Sequence, residues 1–154
     1  DFKVNVLFVG DGEARKDLES LAQNLNLTDY CHFYGPCFTK EELEPLFTIS
    51  SLCVSPGEVG LTAMSALSNG TPVLSHDDFN HQMPEYEAIN PGFNGMLFKR
   101  NSISDLALKI QQWINDNRNT PEKIMRSNCQ KIIKDKYNAE YQSELINNIL
   151  LNDR

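Results

Sequence analysis

Between Ser55 and Leu74 the chain reads Ser-Pro-Gly-Glu-Val-Gly-Leu-Thr-Ala-Met-Ser-Ala-Leu-Ser-Asn-Gly-Thr-Pro-Val-Leu, and few folds accommodate that order. It is the end of a strand, a glycine-rich turn, a helix of small residues over Leu61 to Leu67, a glycine stop, and a strand from Pro72 to Ser75. Ala63, Ser65 and Ala66 are too small to hold such a helix away from a sheet, so the two pack closely. Gly60 permits close backbone approach. Free N–H groups at Leu61, Thr62 and Ala63 point out of the helix start, where the dipole favours an anion. A diphosphate suits that place; a tightly packed βαβ corner without any ligand explains the same pattern.

The rest of the chain alternates in the same way. Val4 to Val9 is an apolar run broken only by Asn5, as in a strand buried on both faces, and it ends in Gly10-Asp11-Gly12. Leu18, Leu21, Ala22 and Leu25, at spacings of three and four, form the buried stripe of a helix. Short strands follow at Cys31 to Tyr34, Leu52 to Ser55 and Gly95 to Phe98. Thr39-Lys40-Glu41-Glu42 is a capping box ahead of Leu43, Leu46 and Phe47. Three helices close the chain. The first is capped by Ser102 with Asp105 and carries Ile103, Leu106, Ala107, Ile110 and Ile114. The second starts at Thr120-Pro121-Glu122, with Thr120 as N-cap and Pro121 at the first helical position. The third runs from Ala139 to Leu150. The expectation is an α/β, Rossmann-like, doubly wound parallel sheet with C-terminal helices, in one domain over residues 1–154.

Composition excludes several classes. The 154 residues suffice for one domain with a core. A net charge of −7 offers no electrostatic footprint for a nucleic acid backbone, so no nucleic acid partner is expected. No apolar run reaches the ~20 residues that span a bilayer, and no signal peptide is seen. The opening at Asp1, in mid-pattern, suggests a natural neighbour upstream. Cys31, Cys37, Cys53 and Cys129 lack CxxC spacing, which favours reduced, mostly buried thiols in a cytoplasmic protein over zinc or disulfides.

Several linked motifs together resemble glycosyltransferase family 4, the group 1 glycosyltransferases. They are the Ser55–Leu74 segment, Phe8-Val-Gly-Asp-Gly-Glu13, Phe33-Tyr-Gly35, Glu42-Leu43 with Leu46-Phe47, and Pro84-Glu85 with Gly95-Met-Leu-Phe98. The resemblance covers about residues 4 to 100. It implies the C-terminal, donor-binding half of a GT-B fold, with the acceptor-binding domain absent and the chain truncated at its N-terminus. It implies a retaining transferase that moves a hexose-type sugar from a nucleoside diphosphate, of UDP or GDP type, to a polysaccharide or lipid-linked acceptor. The acceptor would be held by the missing N-terminal domain. No cofactor and no metal are expected. The full-length enzyme would be cytoplasmic, and peripheral association with the inner face of the cell membrane is compatible with that.

The resemblance also assigns roles by position. Gly60, Leu61, Thr62 and Ala63 hold the donor diphosphate, the Gly35 loop lies near the base, and Glu85 lies near the donor sugar. The family's two glutamates, seven residues apart, contact sugar and ribose hydroxyls. Aligning on Gly60-Leu61 puts Gly57 and Ser65 at those positions. Taking Glu58 as the first puts Ala66 at the second. Glu58 is then the candidate for the sugar and Ser65 for the ribose, and the second acid is lost in either register. The family's arginine and lysine for the departing diphosphate belong to a strand upstream of Asp1, so this chain alone is expected to be a poor catalyst.

Other features have simpler readings. Gly10-x-Gly12 lacks the third glycine of a dinucleotide fingerprint, since Arg15 stands there, so a plain strand-to-helix turn is favoured over an oxidoreductase site. His76-Asp77-Asp78 with His81 reads as a solvated loop near the donor in preference to a metal cluster. Pro84-Glu85 also fits a helix start with an acid on the dipole. Trp113, Tyr137 and Tyr141 fit packing in preference to a sugar platform. The rival functions are a non-catalytic subunit of a polysaccharide-synthesis complex and a nucleotide-sugar epimerase.

Overall fold

The computed structural model describes residues 3–152. The chain forms two compact units, Asp1–Leu43 and Glu44–Arg154. In the first, β1 (Val6–Val9) leads into α1 (Arg15–Asn24) and then β2 (Cys31–Gly35). The strands are parallel, with Val6 opposite Cys31 and Phe8 opposite Phe33, and the register shifts between Phe8 and Val9. The Phe8 and Phe33 rings stack at 4.7 Å. Burial of the α1 stripe does not hold: Ala22 is buried, but Leu18, Leu21 and Leu25 are exposed. Nor does burial of β1 on both faces. Val6 and Val9 are 37% and 41% exposed, because β1 is hydrogen-bonded to β2 alone in a two-stranded sheet.

Helix α2 (Lys40–Ile49) starts with the expected box: Thr39 Oγ1 accepts the Glu42 N–H at 3.3 Å. Hydrogen bonds from Thr39 hold the Glu42 carboxyl below its ordinary range. Pro45 sits inside this helix, one turn from its start.

The second unit is built on three parallel strands in the order β3 (Cys53–Ser55), β4 (Val73–His76), β5 (Gly95–Phe98). Cys53 pairs with Val73, and Val73 with Gly95. Strand β4 has a neighbour on each side and is buried at every residue. Helix α3 (Gly60–Ser68) covers it through Ala63, Ala66 and Leu67, all fully buried. These pack with Val59, Val73, Ala88, Ile89 and Cys129 into one core. Each large apolar side chain there contributes roughly 1.5–3 kcal/mol relative to exposure. The small residues of α3 have the role their size predicts.

A Schellman motif ends α3. The Thr71 N–H reaches Ala66 O at 2.9 Å and the Gly70 N–H reaches Leu67 O at 3.0 Å, with Gly70 at φ +80°. Helices α4 (Ile103–Asn117), α5 (Glu122–Lys136) and α6 (Ala139–Asn152) complete the unit. Arg126 on α5 reaches back to two helix ends, donating to Thr48 O at 2.7 Å and Asn69 O at 3.0 Å. Its cation thereby meets the negative ends of α2 and α3.

Two caps differ in detail. Ser102 Oγ accepts the Asp105 N–H at 3.2 Å as expected. Pro121, however, is itself the N-cap of α5, one residue beyond the expected Thr120. Its carbonyl accepts the Ile124 and Met125 N–H groups, while Thr120 Oγ1 turns to Asn117. Of the cysteines, Cys129 is buried and the other three are half-buried, and all four are free thiols. Burial pushes Cys53 up to about 11 and Cys129 up to about 12, so both stay protonated. Trp113 is a core residue, 3% exposed. Among the described residues no helix is long and apolar enough to cross a membrane.

Two predictions follow from β4. A Cβ at Gly95 would lie 1.9 Å from Val73 O, a backbone atom that cannot give way. Gly95→Ala is therefore expected to cost about 3 kcal/mol or more in urea unfolding, where Gly12→Ala, in open space, costs under about 1 kcal/mol. His76 is 1% exposed, and burial, then the nearby Arg100 charge, lowers its pKa against the pull of Asp78 and Asp77. A depressed imidazole binds protons more readily when unfolded. Its contribution is complete above the ordinary value of ~6.5 and is lost as pH falls below it. Urea midpoints should drop between pH 7.5 and 5, and His76→Asn should flatten that slope; an unchanged slope would contradict this.

Candidate functional site

Because β3, β4 and β5 are parallel and in register, their carboxyl ends share one edge. Ser55 lies beside Ser75, and His76 beside Phe98. The loops leaving that edge are the turn 56–59, the segment 77–83 and the segment 99–102. In open α/β sheets ligands bind at this edge. Helix α3 starts here, and its N-cap is Val59, which has no side-chain oxygen to offer the first-turn amides.

The structure places the sequence candidates as follows. Glu58 is exposed on the turn, and Leu61 and Thr62 are exposed on the first turn of α3. Ala63 is fully buried. With the helix beginning at Gly60, the amides left over at its start are those of Gly60, Leu61 and Thr62. That of Ala63 is the first that the Val59 carbonyl can accept. Gly60 has φ +45°, and a Cβ there would lie 3.8 Å from Met83 Cγ. Positive φ is thus a second requirement for glycine there, beside the close approach expected of a ligand. Ser65 is half-buried, whereas Ala66 is wholly buried and unable to touch a ligand. Of the two registers for the family's acids, only the one ending at Ser65 leaves a side chain within reach of solvent.

Glu85 opens a short 3-10 turn, Pro84–Ala88. It lines a cleft of about 590 Å³ together with Leu61, Met64, Glu87 and Tyr137. Its Oε2 atom is enclosed and makes no hydrogen bond. The Tyr137 hydroxyl is pushed up by burial and by the nearby Glu87 and Glu85 carboxylates. Glu85 and Leu61 therefore share one cleft.

Gly35 belongs to the first unit. It ends β2 with φ +101°, and its carbonyl accepts the Gly10 N–H at 2.7 Å. Arg15, which stands where a dinucleotide fingerprint has glycine, is not idle. It pairs with Glu19 at 2.8 Å, and its guanidinium lies 5.9 Å from the Phe33 ring centre.

The His76–His81 segment closes on itself. Asp78 pairs with Arg100 Nη1 and with His81 Nδ1, each at 2.9 Å. The Arg100 N–H donates to Asp77 Oδ1 at 3.2 Å, and the Asp78 N–H to His76 Nδ1 at 3.3 Å. Hydrogen bonding to His81 lowers the Asp78 pKa, with further help from Arg100. The acids thus bind the end of β4 to the end of β5. Among the described residues no three His, Cys, Asp or Glu side chains gather as a metal site.

Gln82 is the residue that motif reading missed. Its Oε1 accepts the Val59 N–H at 2.9 Å, and its Nε2 donates to Ser75 Oγ at 2.8 Å and His76 O at 3.1 Å. Nothing in the local sequence marks it, because its partners lie 23, 7 and 6 residues away.

The geometry agrees with what the chain is similar to. The family model described as "Glycosyl transferases group 1" matches residues 2–136. The putative glycosyltransferase EpsD of Bacillus subtilis (strain 168) is 26% identical over 109 residues, covering 71% of this chain and 28% of that protein. Anabaena HepE, solved in complex with UDP, superposes with TM-score 0.73 at 20% identity, over 97% of this chain and 41% of its own. TarM of S. aureus, in a structure with alpha-GlcNAc-glycerol and UDP, gives TM-score 0.75 at 22% identity, over 94% and 28%. The chain thus spans under half the length of each of these. The structural likeness is to GT-B glycosyltransferases and shows the fold, α/β with parallel sheets and C-terminal helices. With the greater part of its length inside the family model, the chain belongs to the group 1 glycosyl transferases.

Proposed function

We propose that this chain is the donor-binding, C-terminal half of a GT-B enzyme of glycosyltransferase family 4. The observation that carries the reading is the start of α3. Its first-turn amides lack a side-chain cap at the carboxyl edge of a parallel sheet, inside the matched span. Such amides suit the diphosphate of a nucleoside-diphosphate sugar. The UDP in the HepE and TarM structures supports uracil as the base.

As the bond from the anomeric carbon to the diphosphate breaks, negative charge grows on the leaving oxygen. Preorganised amides and the helix dipole stabilise that charge more than they stabilise the ground state. In this reading Glu58 meets sugar hydroxyls, Ser65 offers its hydroxyl to the ribose, the Gly35 loop lies near the base, and Glu85 faces the sugar. Transfer is of a hexose type with retention and needs no metal. The acceptor is a polysaccharide or a lipid-linked glycan, held by a domain outside this chain. The full-length enzyme works in the cytoplasm, at the inner face of the membrane, and this chain alone turns over poorly for want of the upstream cations.

One observation favours a second reading. With Ser65 half-buried and Ala66 wholly buried, neither register supplies a carboxylate to the ribose. A subunit that keeps the donor pocket for assembly alone fits that loss.

Ligand-observed NMR of the chain against UDP, GDP, ADP, CMP and NAD tests the site. UDP is expected to bind selectively, and Gly60→Val, which places a β-branched residue at positive φ, to abolish the signal. Silence from every nucleotide overturns the site for this chain. In the complete enzyme Glu58→Gln should lower turnover by about tenfold, the scale of one lost hydrogen bond to substrate. Nucleotide binding by that complete protein without consumption of any nucleotide sugar would favour the assembly subunit.

A further inference from the structure

A short chain of hydrogen bonds determines how the turn before α3 is held. Ser75 Oγ donates to Ser55 O at 3.1 Å and itself accepts from Gln82 Nε2 at 2.8 Å. Gln82 Oε1 accepts the Val59 N–H at 2.9 Å. Ser55 is the last residue before the turn and Val59 the last before the helix, so one chain of hydrogen bonds ties both ends of the segment 56–58. The second Nε2 proton goes to His76 O at 3.1 Å, which anchors the amide to the end of β4. Ser75 is fully buried and the Gln82 amide is part-buried, so water competes poorly for these bonds.

Valine is a poor N-cap because it offers no acceptor to the helix start. Of the four N–H groups left over at the start of any helix, the N-cap's own is here satisfied by Gln82, from 23 residues away. Next along the chain, Met83 Cγ faces the α-carbon of Gly60. Residues 82 and 83 thus act on two consecutive residues, Val59 and Gly60. The Val59 side chain, 1% exposed, is fixed in the core from the other side.

We infer that Gln82 is a positioning residue: it presets the turn bearing Glu58 and the first-turn amides of α3 for a diphosphate before any ligand arrives. This rests on the donor-site reading. It adds that the N-cap residue's own N–H is held by the loop after β4, while the first-turn amides stay uncapped and open to a ligand. Removing the amide leaves the first turn free to rotate, so the diphosphate must then be bound at the expense of ordering that turn.

The test uses the chain itself, with UDP and uridine as probes and two variants, Gln82→Leu and Gln82→Glu. For Gln82→Leu, amide exchange at Val59 should quicken by about tenfold while Leu74, in β4, keeps its protection. The UDP dissociation constant should rise by about tenfold and that of uridine, which lacks the diphosphate, should stay within about twofold. Gln82→Glu, which keeps an oxygen toward Val59 but loses both Nε2 donations, should keep Val59 exchange closer to wild type than Gln82→Leu does, while UDP binding still weakens. Equal losses for UDP and uridine, or an unchanged UDP affinity in Gln82→Leu, overturn the positioning role. Failure of the wild-type chain to bind UDP overturns the donor-site reading instead, and unchanged Val59 exchange in Gln82→Leu overturns the strut whatever UDP does.

Discussion

Strand β4 sits between two parallel neighbours and under α3, and that burial is the constraint from which the second unit follows. A strand flanked on both sides must have its backbone groups paired in both directions, and its side chains must suit a dry environment. Val73, Leu74, Ser75 and His76 meet that demand, two as apolar residues and two because their polar atoms find partners. Packing is close enough that Gly95 opposite Val73 has no room for a side chain. The small residues of α3 then bring its first turn to the carboxyl edge of the sheet, where the loops after β3, β4 and β5 gather.

The proposed donor site is correspondingly a backbone site: in that reading its chemistry lies in the uncapped amides at the start of α3. Arg100 is spent internally at this edge, its guanidinium on Asp78 and its backbone N–H on Asp77. Glu58 is exposed on the turn, and Glu85 has one oxygen enclosed and without a hydrogen bond beside the first turn of α3.

Much of this was legible in the residues. Elements with strong local signals, such as the Thr39–Glu42 box, the Ser102–Asp105 cap and the glycine stop after α3, appear where expected, because their determinants lie within a few residues of one another. The departures share a cause. Thr120 yields the N-cap of α5 to Pro121, a choice between neighbours that local pattern leaves open. Val6 and Val9 are apolar yet partly exposed, since burial depends on what pairs beside a strand and not on its composition. Gly60 reads as a residue for close approach, and its positive φ adds a conformational need for glycine that only the backbone path reveals. Ala66 is buried where Ser65 is half-buried, a difference that sequence alone does not show.

By itself the sequence determined the alternation of strands and helices, the close packing of α3 and the family. Each is encoded in period, residue size or motif spacing, which are properties of neighbours along the chain. Tertiary structure alone decided which groups hold the helix start in place. The Val59 N–H is held by a glutamine 23 residues away, that glutamine is held by a buried serine of β4, and the serine reaches back to Ser55. Such hydrogen bonds join segments that become adjacent only when parallel strands are brought into register, so no local signal precedes them.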